Sequence, residues 1–212
     1  MMEPIVFTPD NEPYLGRKTL YVFDQLILSA MELNSRIALF THRNQRSRLQ
    51  RAAAQIIPQG LNLSLSIREL LRQGYLFAAA VLLRSLIERS AIVSYLWRNP
   101  GVIETWENGW DYKDRPSLTK MLEAIHPEGD LEGARKVCET FNHLVHGDSM
   151  GAEFNLIQLS EDAFGYAVGR VTDNTSLADF VCDQAISWLS ILCSMMAACF
   201  PEATTKTSVS PI

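Results

Sequence analysis

Asn142 and His146 stand four residues apart in the run Phe141-Asn142-His143-Leu144-Val145-His146-Gly147-Asp148. A neutral imidazole gives or takes a proton near pH 7, and an amide one helical turn away can orient it or hold a phosphate oxygen. Four helical residues rise about 6 Å, close enough for both side chains to meet one ligand. Gly147 then ends the helix. At about 100° per residue, Ala134, Val137, Cys138, Phe141, Leu144 and Val145 share one face, read as the core contact. Arg135, Glu139, Asn142 and His146 line its edge, and His143 points away from the core towards solvent. The structural alternative is that Asn142 and His146 only bond the helix end and the following loop, since a helix C-terminus favours a protonated imidazole.

Three further groups bear on chemistry. Arg84 and Glu88 are four apart in a stretch that is apolar nearly all round, which makes them either a structural ion pair or an anion-binding arginine held by its neighbour. Arginine suits bidentate contact with phosphate or carboxylate. Arg43, Arg46, Arg48 and Arg51, with His42 before them, form the densest basic cluster, and no acidic residue falls between Arg43 and Gln55. This cluster reads as a phosphate-contacting RNA surface or as a solvated helix face. Glu139, His143 and His146 have ligand-like spacing, but helical di-iron sites need Glu-x-x-His on two helices and there is no second copy, so no metal site is expected. Nothing in the sequence calls for a cofactor: Gly-rich phosphate loops, nucleophile elbows and Cys/His nucleophile pairs are all lacking.

The helix 135–146, with its polar Asn142, the spacing to His146 and the trailing Gly147-Asp148, resembles the late helix of the HEPN superfamily. The run Leu83-Arg84-Ser85-Leu86-Ile87-Glu88 is similar to the Arg/Glu helix of bacterial HEPN-like proteins. The resemblance spans about residues 60–150 and the last helix. It implies a helical bundle, pairing into a homodimer through an apolar face, and a role in RNA metabolism, toxin–antitoxin systems or phage defence. The implied activity is metal-independent RNA cleavage with His146 as general acid or base, Asn142 orienting and an arginine stabilising the phosphate. Phe141 occupies the position of the motif arginine. Arg135 lies eleven residues before His146, about 16 Å along the axis, too far to replace it, so the guanidinium must come from Arg84 or from a partner subunit. A non-catalytic interaction module with a protein partner, and a small-molecule sensor using the cleft beside the same helix, are the competing readings.

The elements that must position these residues follow from periodicity. Helices are expected over 14–42, 61–73, 75–98, 102–110, 117–125 and 131–146, with a last helix capped by Asp173-Asn174-Thr175-Ser176 and running to Cys199. Helix or coil over 43–55 is expected to end at Pro58-Gln59-Gly60, and turns are expected at Asn99-Pro100-Gly101 and Pro127-Glu128-Gly129-Asp130. A β-hairpin fits somewhere in 154–171. The fold class is therefore all-α, a helical bundle with one short hairpin, as a single domain over 1–202 with a disordered tail over 203–212. With 47% apolar residues the chain can build a core unaided by disulfides. The formal net charge of −5 argues against a dedicated duplex-binding protein, though not against a local basic face. Cys138, Cys182, Cys193 and Cys199 form no CxxC pair and read as buried thiols in a reducing compartment. An N-terminus with Glu3 and Asp10 and no basic region does not resemble a secretory signal. The stretch 75–97 carries Arg84, Glu88 and Arg89, and 185–200 is short for a span, so no stable membrane insertion and a cytoplasmic location are expected.

Overall fold

The computed structural model describes residues 12–111, 113–125, 131–166 and 168–204. The expected turn at Pro127–Asp130, the N-terminal segment before residue 12 and the tail beyond Thr204 lie outside the described residues. The molecule is all-α apart from one small hairpin. In chain order it has α1 (Lys18–Arg43), α2 (Arg48–Gln73), α3 (Leu76–Arg98), a 3-10 turn at Pro100–Val102, α4 (Ile103–Glu107), α5 (Leu118–Ile125) and α6 (Leu131–His146). A second 3-10 stretch, Ser149–Asn155, leads to β1 (Leu156–Ser160) and β2 (Ala163–Tyr166), followed by α7 (Thr175–Cys199) and α8 (Pro201–Thr204). The strands pair antiparallel with Leu156 opposite Tyr166 and Gln158 opposite Phe164.

The apolar pattern explains the layering. α3 is buried on nearly every side, from Leu76 and Leu83 through Leu86 and Ile87 to Leu96, and it packs against α2, α5, α6 and α7. Its buried hydroxyls are satisfied: Ser90 shares its one proton between the carbonyls of Leu86 and Trp188, and Ser94 donates to that of Ser90. α1, α2 and α7 complete the main bundle around Phe23, Ile57, Leu61, Leu189 and Leu192, all at most 3% exposed. Arg17, just before α1, clasps α7 through Asp179, donating from Nε to Oδ1 at 2.7 Å, and this guanidinium holds the carboxyl below the usual range. α7 is long and apolar enough to cross a bilayer, and 39% of its most apolar window is buried against the neighbouring helices.

The expected break at Pro58-Gln59-Gly60 does not occur, because α2 runs unbroken from Arg48 to Gln73. Pro58 is exposed, so the helical bond it removes lies where water can replace it. Residues on both sides, Ile56, Ile57, Gly60, Leu61 and Ser64, are anchored in the core. Gly60 acts as a contact rather than a breaker: a Cβ there would come within 2.5 Å of Leu192 Cδ2, so the missing side chain lets α7 approach α2 closely. The start of α2 carries a capping box, with Ser47 Oγ accepting from the Gln50 amide and Gln50 Oε1 from the Ser47 amide. Its end is fixed by Gly74 at φ +86°, a left-handed cap that a side chain would strain. Asn174 caps α7 by accepting from the Leu177 amide. Pro201, expected only to end that helix, also starts α8, where Ala203 is buried instead of opening a disordered tail.

Candidate functional site

α3, the connection between α4 and α5, and α6 enclose a groove of about 720 Å³. Its walls carry Arg84, Ser85 and Glu88 from α3, Arg115 and Ser117 from the connection, and Asn142, Val145 and His146 from the end of α6. The core below fixes the geometry. Phe141 is fully buried, stacked on Phe180 with ring centroids 6.1 Å apart and tilted against Phe154 at 6.4 Å. Cys138 and Leu144 are buried beside it. With that face pinned, the edge of α6 bearing Asn142 and His146 turns towards α3.

The three residues expected to form a site, Arg84, Asn142 and His146, line this one groove. Arg84 Nε donates to Asn142 Oδ1 at 2.6 Å, tying α3 to α6 across fifty-eight residues of sequence. A guanidinium only donates, so the amide presents its oxygen to Arg84 and keeps both N–H donors for another acceptor. Arg84 Nη1 is buried and lies 3.2 Å from Glu88 Oε1, off the line of a hydrogen bond. The Arg84 side chain is 16% exposed, so its charge sits at the groove floor rather than in bulk solvent. His146 is exposed at the groove rim and makes no hydrogen bond or ion pair among the described residues. The alternative in which it bonds the following loop is therefore not what the structure shows. His143 takes that part, its Nδ1 lying 2.7 Å from Asp148 Oδ2, so it is half-buried and engaged rather than free in solvent.

Several expectations are corrected. Val145, placed by periodicity on the core face, is 49% exposed while Leu144 beside it is buried, because Val145 opens on the groove between α3 and α6 instead of on a packed layer. The Ala134 and Val137 side chains expected on that face lie outside the described residues. Arg135 pairs with Glu123 of α5 at 3.2 Å and takes no part in the groove. The basic cluster does not form one helical face. Arg43 ends α1, Arg46 lies in the corner, and Arg48 and Arg51 begin α2. Its charge is also partly balanced from far along the chain: Arg48 pairs with Glu107 at 2.6 Å and Glu104 at 3.2 Å, and Arg51 reaches Glu107 at 3.9 Å. Only Arg43 and Arg46 of the four remain exposed without an acidic partner among the described residues.

Arg115 was not singled out by the sequence. It donates from Nη2 to Glu88 Oε1 at 3.1 Å, the same oxygen that faces Arg84. No helical periodicity relates it to Arg84 or His146, and only its position just before Pro116 and α5 hinted at structure. Among the described residues no group of three or more His, Cys, Asp or Glu is arranged to hold a metal ion. The thiols are free and deactivated: burial pushes Cys138 and Cys193 up to about 11, and Cys182 and Cys199 up to about 12. Comparison with protein-family models, curated proteins and solved structures finds no match to this chain.

Proposed function

We propose that the chain is a HEPN-like protein of RNA metabolism or bacterial defence, and that the groove between α3 and α6 is a metal-independent endoribonuclease site. One observation carries the reading: the 2.6 Å bond from Arg84 Nε to Asn142 Oδ1, which joins an α3 guanidinium to the Asn142/His146 edge of α6. The guanidinium that Phe141 cannot supply thus has a source within the same chain. In the proposed reaction the ribose 2′-oxygen attacks the adjacent phosphorus, the bond to the 5′-oxygen breaks, and a 2′,3′-cyclic phosphate and a 5′-hydroxyl result. His146 takes the 2′-hydroxyl proton or delivers one to the leaving oxygen, and the pairing of two chains in a homodimer would supply a second imidazole for the other transfer. Arg84 stabilises the charge that grows on phosphorus, and Asn142 donates to a non-bridging oxygen.

A second reading has its own support. Phe141 is fully buried and stacked, so the motif arginine position has been given over to the core, as fits a non-catalytic module that binds a protein partner. Incubation of single-stranded RNA with purified protein in the presence of a chelator separates the two. The nuclease reading expects cleavage by the wild type and a loss of roughly 10²–10⁴-fold in His146→Ala, with unchanged circular dichroism because His146 is exposed. His143→Ala should matter far less. A wild type that cleaves no RNA, and whose overexpression does not slow growth, would leave the interaction module as the better reading.

A further inference from the structure

Among the described residues Glu88 is the only acidic one lining the groove, and it faces more than one guanidinium. Arg115 Nη2 donates to its Oε1 at 3.1 Å, Arg84 Nη1 lies 3.2 Å from the same oxygen, and Arg89 Nη1 approaches Oε2 at 4.0 Å from outside the groove. Arg84 and Arg115 together carry one more positive charge than Glu88 balances, in a chain whose formal net charge is −5. The two arginines approach from different elements, one from the floor at 16% exposure and one from the rim at 46%. Pro116 and Ser117, which lead into α5, and Leu118, its first residue, line the same groove. A carboxylate shared by two guanidiniums fixes their spacing but leaves donors on each unused, since each fork carries five N–H groups.

We infer that Arg115 is a second phosphate-binding residue of this groove, forming with Arg84 a two-sided clamp on the RNA backbone that Glu88 holds in register. The inference rests on the reading of the groove as an RNA site, and it adds a contact from the connection between α4 and α5 that neither helix pattern contains. Arg84 grips the phosphate at the floor beside Asn142 and His146, and Arg115 closes over it or over the next phosphate from the rim.

Binding of a fluorescent 2′-O-methyl oligonucleotide, whose blocked 2′-oxygen prevents cleavage, tests the clamp with the full chain. Arg115→Ala should weaken binding by about tenfold or more, the usual worth of a charge-assisted contact. It should also flatten the dependence of log affinity on log salt by roughly 0.7, the share of one phosphate contact on a single strand. Lys136→Ala removes a charge outside the groove, paired with Glu132, and should leave the affinity unchanged. The inference is overturned if Arg115→Ala binds as the wild type does while Arg84→Ala is impaired, because Arg115 would then be only a strut between Glu88 and α5. A wild type that fails to bind the oligonucleotide at all overturns both the clamp and the RNA reading beneath it. A loss of affinity equal in Arg115→Ala and Lys136→Ala also counts against the clamp, since it reports net charge alone.

Discussion

Arg84 is gripped by two different partners, Asn142 through Nε and Glu88 beside Nη1, and the two give it different jobs. The Glu88 contact is an i,i+4 pair on one helix and needs only a positive charge. The Asn142 contact needs the planar fork, because Nε must donate sideways while the terminal nitrogens stay available. Arg84→Lys separates them: if the fork serves the groove, RNA cleavage should fall at least about tenfold while Tm changes little, as an ammonium can still pair with Glu88. Full activity in that variant would assign Arg84 to structure. The pairing of Arg84 with Glu88, and the common edge of α6 that carries Asn142 and His146, could be read from spacing, because each lies within a single helix. The meeting of the two pairs could not, and neither could the share of Glu88 taken by Arg115, since tertiary packing alone relates them. The basic cluster misled for the same reason: Arg48 and Arg51 look uncompensated locally, and Glu104 and Glu107, more than fifty residues on, compensate them.

α2 shows how burial overrides a local breaker. Proline and glycine two residues apart read as the end of a helix, yet the exposed ring of Pro58 costs one hydrogen bond on the solvent side and the core faces around it hold the helix straight through. Gly60 is there for packing, with Leu192 of α7 occupying the space a side chain would need. Gly60→Val should therefore destabilise the protein by about 2 kcal/mol or more, since overpacking a filled core costs roughly 1–3 kcal/mol and valine is a weak helix former. For a chain of this size that is a drop in Tm of about 4 °C or more in a thermal melt. Gly60→Ala should lose less, because the helix propensity gained, about 1 kcal/mol, offsets part of the clash. An unchanged Tm in the valine variant would mean that α2 and α7 do not meet closely at this point. Elements with strong internal signals behaved as their sequences suggest. Gly74 caps α2, Asn174 caps α7, and the change of pattern after Phe154 is a hairpin.

At the scale of the whole molecule, the all-α class follows from the apolar period of 3.6 that recurs along most of the chain. The groove depends instead on the gap that α3, α6 and the segment leading into α5 leave between them. Val145 breaks the pattern of its own helix because it opens on the groove while Leu144 beside it is buried, and periodicity carries no information about where neighbouring helices leave a gap. His146 lines that groove with Arg84, whereas His143 lies outside its lining and is engaged by Asp148. Whether Arg84, Asn142 and His146 together bind an RNA phosphate is read from the histidine ring signals in the NMR spectrum. The 2′-O-methyl oligonucleotide is titrated into the full chain, with His146 assigned from a His146→Gln variant. The His146 ring signals should shift saturably, those of His143 should move little, and the oligonucleotide's effect should be lost in Arg84→Ala. Oligonucleotide that binds while the His146 signals stay in place, or that moves the His143 and His146 signals equally, would contradict a phosphate site shared by the three.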